Sequence, residues 1–208
     1  DLNKFVEEDK EEVNPDDIMP VMWSLGEWKG KLAAFPLSGY ANVLAYNTEM
    51  FKEAGVEEPE TMEDLMNAAK TLTKPEEDQY GIALLGARGS AIAQDFMSYA
   101  MHFGGEIIND EGEVVVNSEE NLEALKFYKK LYEYAPPGVN DYWWNERETA
   151  FRNGLVAMQE CWNISRQDYE DSSMSKVVGK AKITNPPVEE GLEPTYGFGG
   201  WGIGINKD

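Results

Sequence analysis

The chain has 208 residues, 42% of them hydrophobic and 12% aromatic, enough to bury a core and exclude wholesale disorder. Its 18 Lys+Arg stand against 39 Asp+Glu, a net charge of −21, and such a polyanion is repelled by nucleic-acid phosphates and anionic lipid. The single cysteine, Cys161, excludes an intramolecular disulfide and a multi-cysteine zinc site, and no apolar run approaches the ~20 residues of a membrane span.

In chain order, Leu2, Phe5 and Val6 are spaced for one face of a short helix. Lys29-Gly30 reads as a turn, followed by a strand through Phe35 and a second strand over Ala41 to Tyr46. Asn47 or Thr48 caps a short helix that Gly55 stops. Thr61-Met62-Glu63-Asp64 resembles a capping box, and Leu65, Ala68, Ala69 and Leu72 recur behind it at helical spacing. Tyr80 to Leu85 is predicted as a buried strand. Ala91 to Phe103 is predicted as a helix with Ile92, Phe96, Tyr99 and Phe103 near one face. Residues 106–116 suggest a hairpin. Asn117 with Glu120 is expected to cap a helix whose stripe is Leu122, Leu125, Tyr128, Leu131 and Tyr132. A helix over Glu146 to Asn153 and strands over Leu155 to Gln159 and Lys180 to Thr184 follow, before the glycine-rich close at Gly197 to Ile205. The alternation of strands and helices predicts an α/β fold with a mixed sheet, its core including Leu65, Phe96, Leu125, Leu131, Phe151 and Met158.

Few motifs carry chemistry by themselves. The acidic turn at Asn109 to Glu113 fails the calcium-loop pattern, because Ile107 occupies the position of the first oxygen ligand. His102 reads as a packing or surface histidine, and Cys161 as a structural thiol with no cation beside it. No metal or cofactor is expected. The aromatics say more. Trp143-Trp144, Trp162, Trp201 and Tyr40 sit among amides, carboxylates or glycines at strand ends and loops. An indole face covers the apolar face of a sugar ring while polar neighbours take its hydroxyls. The same rings also suit the edge of a core, and spacing leaves both readings open.

The order of the motifs resembles a known family. Lys29-Gly30-Lys31 to Pro36, Tyr46-Asn47-Thr48-Glu49-Met50-Phe51 to Ala54-Gly55, and Pro59 to Leu65 continuing to Ala69-Lys70 and Leu72-Thr73 are similar to the family 1 extracellular solute-binding proteins. Phe103-Gly104-Gly105, Val156-Ala157-Met158 and Gly199-Gly200-Trp201-Gly202-Ile203 follow in the family's order. The resemblance implies the type II periplasmic-binding-protein fold and a receptor for an ABC importer, holding a carbohydrate or related solute in an interlobe cleft without catalysis. A glycoside hydrolase is the alternative. It also implies ABC permease subunits as partners and a periplasmic or extracellular location, with a lipid anchor compatible.

Aligned on the family, residues 1–36 are expected to be the tail of the first lobe, 37–196 the second lobe, and 197–208 a return crossing. Asp1-Leu2-Asn3-Lys4 opens without a basic start and apolar stretch, and the chain reads as an excised second lobe. Bare apolar residues at the cut edge predict dimers. By the same resemblance the ligand contacts are expected at Tyr40, Gln94, Asp95, Trp162, Gly199, Gly200 and Trp201, with Arg88 and Trp144 as further candidates.

Overall fold

The computed structural model describes residues 1–206. They fall into two compact units, Asp1–Ala41 with the segment from Gly197, and Asn42–Tyr196. The helices and strands run α1 Asn3–Glu8, α2 Lys10–Val13, α3 Pro20–Gly26, β1 Glu27–Trp28, β2 Lys31–Leu32, β3 Phe35–Asn47, α4 Thr48–Ala54, α5 Met62–Thr71 and β4 Tyr80–Ala83. Then come α6 Ser90–His102, α7 Glu119–Leu131, α8 Trp144–Arg152, β5 Val156–Trp162, α9 Arg166–Glu170, β6 Ala181–Thr184 and β7 Phe198–Ile203.

In the first unit, β1 and β2 form an antiparallel hairpin whose turn is Lys29 and Gly30, both at positive φ. The two expected strands before residue 47 are realised differently. β2 is two residues long, and β3 runs unbroken for 13. Its continuity has a structural cause: residues 35–41 pair antiparallel with β7, whereas residues 42–47 pair with β5 and β6 in the second unit. Pro36 lacks an N–H, and the β3–β7 register shifts between Pro36 and Ser38, an irregularity that accommodates it.

The second unit holds the mixed sheet, ordered β4-β5-β3-β6, with β4 parallel to β5 and the other pairs antiparallel. Strand alternation supplies a core on each face. Leu44, Tyr46, Ile82 and Met158 meet Leu65, Ala69 and Leu72 of α5, Tyr99 of α6, and Tyr128 and Leu131 of α7. Val43, Ala45, Ala83 and Cys161 meet Ala150 and Phe151 of α8 and Tyr169 of α9. Local signals place the helix starts. The Asn47 side chain accepts from the N–H groups of Glu49 and Met50, and Thr61 with Asp64 closes the expected capping box.

Helices α6 and α7 correct the sequence reading. Of the expected α6 stripe only Tyr99 is buried, while Ile92, Phe96 and Phe103 are half-buried; the interior face carries Asp95, Ser98 and His102 instead. On α7, Ser118 is the cap, its hydroxyl accepting from Asn121 N–H, and the buried stripe is Asn121, Ala124, Tyr128 and Leu131. Leu125, expected in the core, is 49% exposed and Leu122 is 50% exposed. Two polar anchors set this rotation. The Asn121 amide donates to the carbonyls of Glu106 and Val115, and the Tyr128 hydroxyl donates to the Leu85 carbonyl. Residues 106–116 contain an isolated bridge, Ile108 to Val114, in place of a regular hairpin. Leu65, Leu131, Phe151 and Met158 are fully buried, as expected.

Candidate functional site

The parallel register of β4 and β5 aligns Ala83 with Gln159, so the carboxyl ends of both strands reach the same sheet edge. β3 enters there, Asn42 pairing with Trp162, the last residue of β5. In open α/β sheets this edge is where ligands bind. The segment after β4 stays buried through Ala87 and surfaces at Arg88 and Gly89. Gly89 has a φ of +116°, which a side chain rarely adopts, and it turns the chain into α6.

A second segment packs against this loop. Ala87 N–H donates to the Tyr142 carbonyl at 3.0 Å. The Trp143 N–H then donates to Glu146 Oε2 at 3.0 Å, fixing the start of α8. The two indoles that follow Tyr142 lie 5.6 Å apart at 50°. Trp144 Nε1 donates to Gln94 Oε1 at 3.0 Å, joining α8 to α6. Trp143 is 42% exposed, and its ring reaches toward Gly89. Gln94, Trp143 and Trp144 thus share one neighbourhood, two indole faces and an amide suited to a polyhydroxy molecule, and Arg88 is exposed on the adjoining loop.

Beneath it lies a buried ionic layer. Asp95 is 2% exposed and Arg147 1%. Arg147 Nη1 donates to Asp95 Oδ1 at 2.9 Å. Asp95 Oδ2 accepts from Leu85 N–H at 2.6 Å and from the Tyr128 hydroxyl at 3.3 Å. Burial pushes the Asp95 carboxyl up to about 6, Arg147 opposing the rise and Glu160 adding to it. Burial alone would lower Arg147, but Asp95 and the other nearby acids outweigh it and hold the guanidinium charged.

Glu160 occupies the same face of the sheet. It accepts from the Ser98 hydroxyl at 2.6 Å, and His102 Nε2 lies 3.0 Å from its other oxygen. Burial pushes Glu160 upward, yet His102, Ser98 and Arg147 prevail and hold it below the ordinary carboxylate range. On the opposite face, Glu148 accepts from Gln159, Tyr169 and Ser165, bracing the turn that leaves Trp162. Cys161 is buried beside this cluster and burial pushes its thiol up to about 12, leaving it protonated.

In the first unit, Tyr40 pairs with Gly199, Gly39 with Gly200, and Ser38 with Trp201. A Cβ at Gly200 would lie 2.5 Å from the Ser38 carbonyl oxygen, so the close strand approach requires glycine. Trp201 is 67% exposed. Of the residues expected at the site, the structure therefore joins Gln94 to Trp144, leaves Arg88 exposed on the adjoining loop, buries Asp95 in the layer below, and puts Trp162 at the same sheet edge. Tyr40, Gly199, Gly200 and Trp201 form a set of their own. Arg147, Glu148 and Glu160 were not legible as site residues, and His102, expected as a packing or surface histidine, is buried against Glu160. The available signal was Gln159-Glu160, an amide and an acid inside an otherwise apolar strand, which burial obliges to find partners.

Among the described residues, no group of three or more His, Cys, Asp and Glu side chains is placed to hold a metal ion. No described helix is long and apolar enough to cross a membrane.

Comparison with known proteins identifies the family. An ABC-transporter solute-binding protein from Agrobacterium radiobacter K84, solved in complex with ribitol, is 46% identical, with a TM-score of 0.95 over 100% of this chain and 52% of its own. Maltose-bound MalE3 of T. maritima is 26% identical, with a TM-score of 0.87 over 97% of this chain and 52% of its own. The mannitol-binding protein of Pseudomonas aeruginosa is 29% identical over 178 residues, 84% of this chain and 41% of its own. The chain spans about half the length of the proteins it matches. Residues 1–208 match the profile of the bacterial extracellular solute-binding proteins, a class of substrate receptors; the chain belongs to that family, and its fold is the type II periplasmic-binding-protein fold.

Proposed function

We propose that this chain is part of the substrate receptor of an ABC importer, working outside the cytoplasmic membrane and holding a small polyol or sugar without transforming it. The observation that carries the reading is the pair of indoles at 143 and 144 beside Gln94, at the carboxyl-end edge of the sheet. The ribitol bound by the Agrobacterium protein and the mannitol named for the Pseudomonas protein support a polyol.

Trp162 and Trp144 stack on the carbon chain of the ligand, and Gln94 and Arg88 donate to its hydroxyls. The first unit carries its own candidate contacts with a solute, Tyr40 and Trp201, with Gly199 and Gly200 letting its strands approach. Residues 42–196 correspond to the second lobe of the receptor, and permease subunits accept the ligand from it. Exposed apolar residues of the first unit, Trp28, Leu37, Trp201 and Ile205, favour association with a second copy, which net repulsion opposes. Light scattering at low and high salt checks this: a dimer is expected, strengthened by salt.

Calorimetry with ribitol, D-mannitol and maltose tests the receptor reading. A polyol is expected to bind and be recovered unchanged. Trp162→Ala is expected to weaken binding about thirtyfold, roughly 2 kcal/mol, the loss typical of a buried Trp anchor. Turnover of an oligosaccharide would overturn the reading in favour of a hydrolase. Unchanged affinity after Trp162→Ala would displace the site.

A further inference from the structure

Two bridges join α8 to α6 one layer apart. The outer one is neutral, from the Trp144 indole to Gln94. The inner one is ionic, from Arg147 to Asp95, each residue following its outer counterpart along the same helix. Among the described residues, Nη1 of Arg147 alone of its nitrogens has a hydrogen-bond partner, and Nε and Nη2 are buried without one. The guanidinium thus depends on Asp95, and Asp95 in turn holds Leu85 N–H, where the loop to Gly89 begins. One buried carboxylate therefore secures the loop, the first turn of α8 and, through Tyr128, α7.

We infer that the Asp95–Arg147 pair is a positioning device, which sets the orientation of Trp143 and Trp144 from beneath and couples it to pH. Asp95 acts through these neighbours, with its own side chain closed to solvent. Burial holds Asp95 near 6, so lowering the pH from 7 to 5 protonates it and removes the counter-charge of Arg147. The other ionisable groups around it are Glu148 on α8, Glu160 on β5, Tyr128 and Tyr132 at the end of α7, and Tyr99 and His102 on α6 itself. The tyrosines are all raised by burial and stay neutral, and Glu160 is held low.

The test is 19F NMR of the chain labelled with 5-fluorotryptophan, without ligand, from pH 7.5 to pH 5. Resonances are assigned by single Trp→Phe changes. The Trp143 and Trp144 signals are expected to shift together with a midpoint near pH 6, while Trp23 and Trp28 stay in place. The double variant Asp95→Asn/Arg147→Met removes both charges, a change that is often tolerated where a single one is not. It is expected to show displaced Trp143 and Trp144 signals and no transition. Flat Trp143 and Trp144 profiles in the unmodified chain would overturn the inference. A transition that persists in the double variant would assign it to another group and overturn the inference as well. The ligand arm rests on the proposed receptor function: ribitol affinity, measured at pH 7.5, is expected to fall at least tenfold in the double variant. If the unmodified chain ignores ribitol, the polyol reading fails, and the ligand-free spectra still decide the role of Asp95 and Arg147.

Discussion

Two carboxylates of the second unit have similar partners and titrate in opposite directions. Asp95 meets a guanidinium, a tyrosine hydroxyl and a backbone N–H in the interior. Glu58, at the β6 edge, meets the Lys182 ammonium at 2.5 Å, the Tyr46 hydroxyl at 2.7 Å and the Thr184 hydroxyl. Both are pushed upward by burial. For Asp95 that push wins and its carboxyl rises to about 6; for Glu58 the hydrogen bonds from Lys182, Thr184 and Tyr46 win and bring it down to about 2. The difference lies in solvent. Around Glu58 water still solvates the ion, so each donor adds to a charge that costs little to keep. Around Asp95 the donors must first replace lost hydration.

The largest expected effect comes from breaking the interior pair on one side. Arg147→Met leaves Asp95 buried alone and is expected to cost about 3–5 kcal/mol at pH 7. Urea denaturation measures it. The sign with pH follows from a carboxyl raised above its ordinary 3.8 to about 6: its penalty is absent below 3.8, builds up to pH 6 and is complete above it, whereas without the Arg147 guanidinium the carboxyl rises further and the penalty keeps growing past pH 6. The cost of Arg147→Met should therefore shrink between pH 7 and pH 5. A constant cost would show that Asp95 stays charged throughout.

An apolar control calibrates that figure. Leu65→Ala, in the α5 face of the core, should cost about 2–5 kcal/mol whatever the pH, since it removes only packing. Comparable urea curves at pH 5 and 7 for this variant, beside diverging ones for Arg147→Met, separate charge from volume.

The edge cluster should give the smallest effect, with the opposite pH slope. Glu58→Gln is expected to cost about 0.2–1 kcal/mol at pH 7, the range of partly exposed pairs, and less in high salt. Because Glu58 is lowered below its ordinary 4.5 to about 2, its contribution is complete above 4.5 and disappears as the pH falls toward 2. Thermal melts of both proteins between pH 7 and pH 2 should draw together toward the acid end.

Much of the fold was legible because its signals are local. Asn47, the Thr61–Asp64 box and the turn at Lys29-Gly30 act within four residues, and each formed where the sequence placed it. The apolar spacing of α5 named its own buried face, since nothing polar competed for it. The family order of motifs led to the right fold for the same reason: it summarises many short-range choices at once.

Tertiary structure decided what depends on partners distant in sequence. Periodicity assigned Leu122 and Leu125 to the core, but Asn121 and Tyr128 found acceptors on other segments and rotated α7 about them. An unpaired buried amide costs more than two half-exposed leucines, so the polar anchors prevailed. The same logic turned α6 inward on Asp95, Ser98 and His102, whose partners Arg147 and Glu160 lie more than 50 residues further along the chain. The sequence by itself determined where most of the second unit's helices and strands lie and which aromatic residues are available to the site. Which carboxylates are buried, and which cations and hydroxyls face them, was settled only when the sheet closed, because a charge in the interior is stable only where the fold delivers its counterpart.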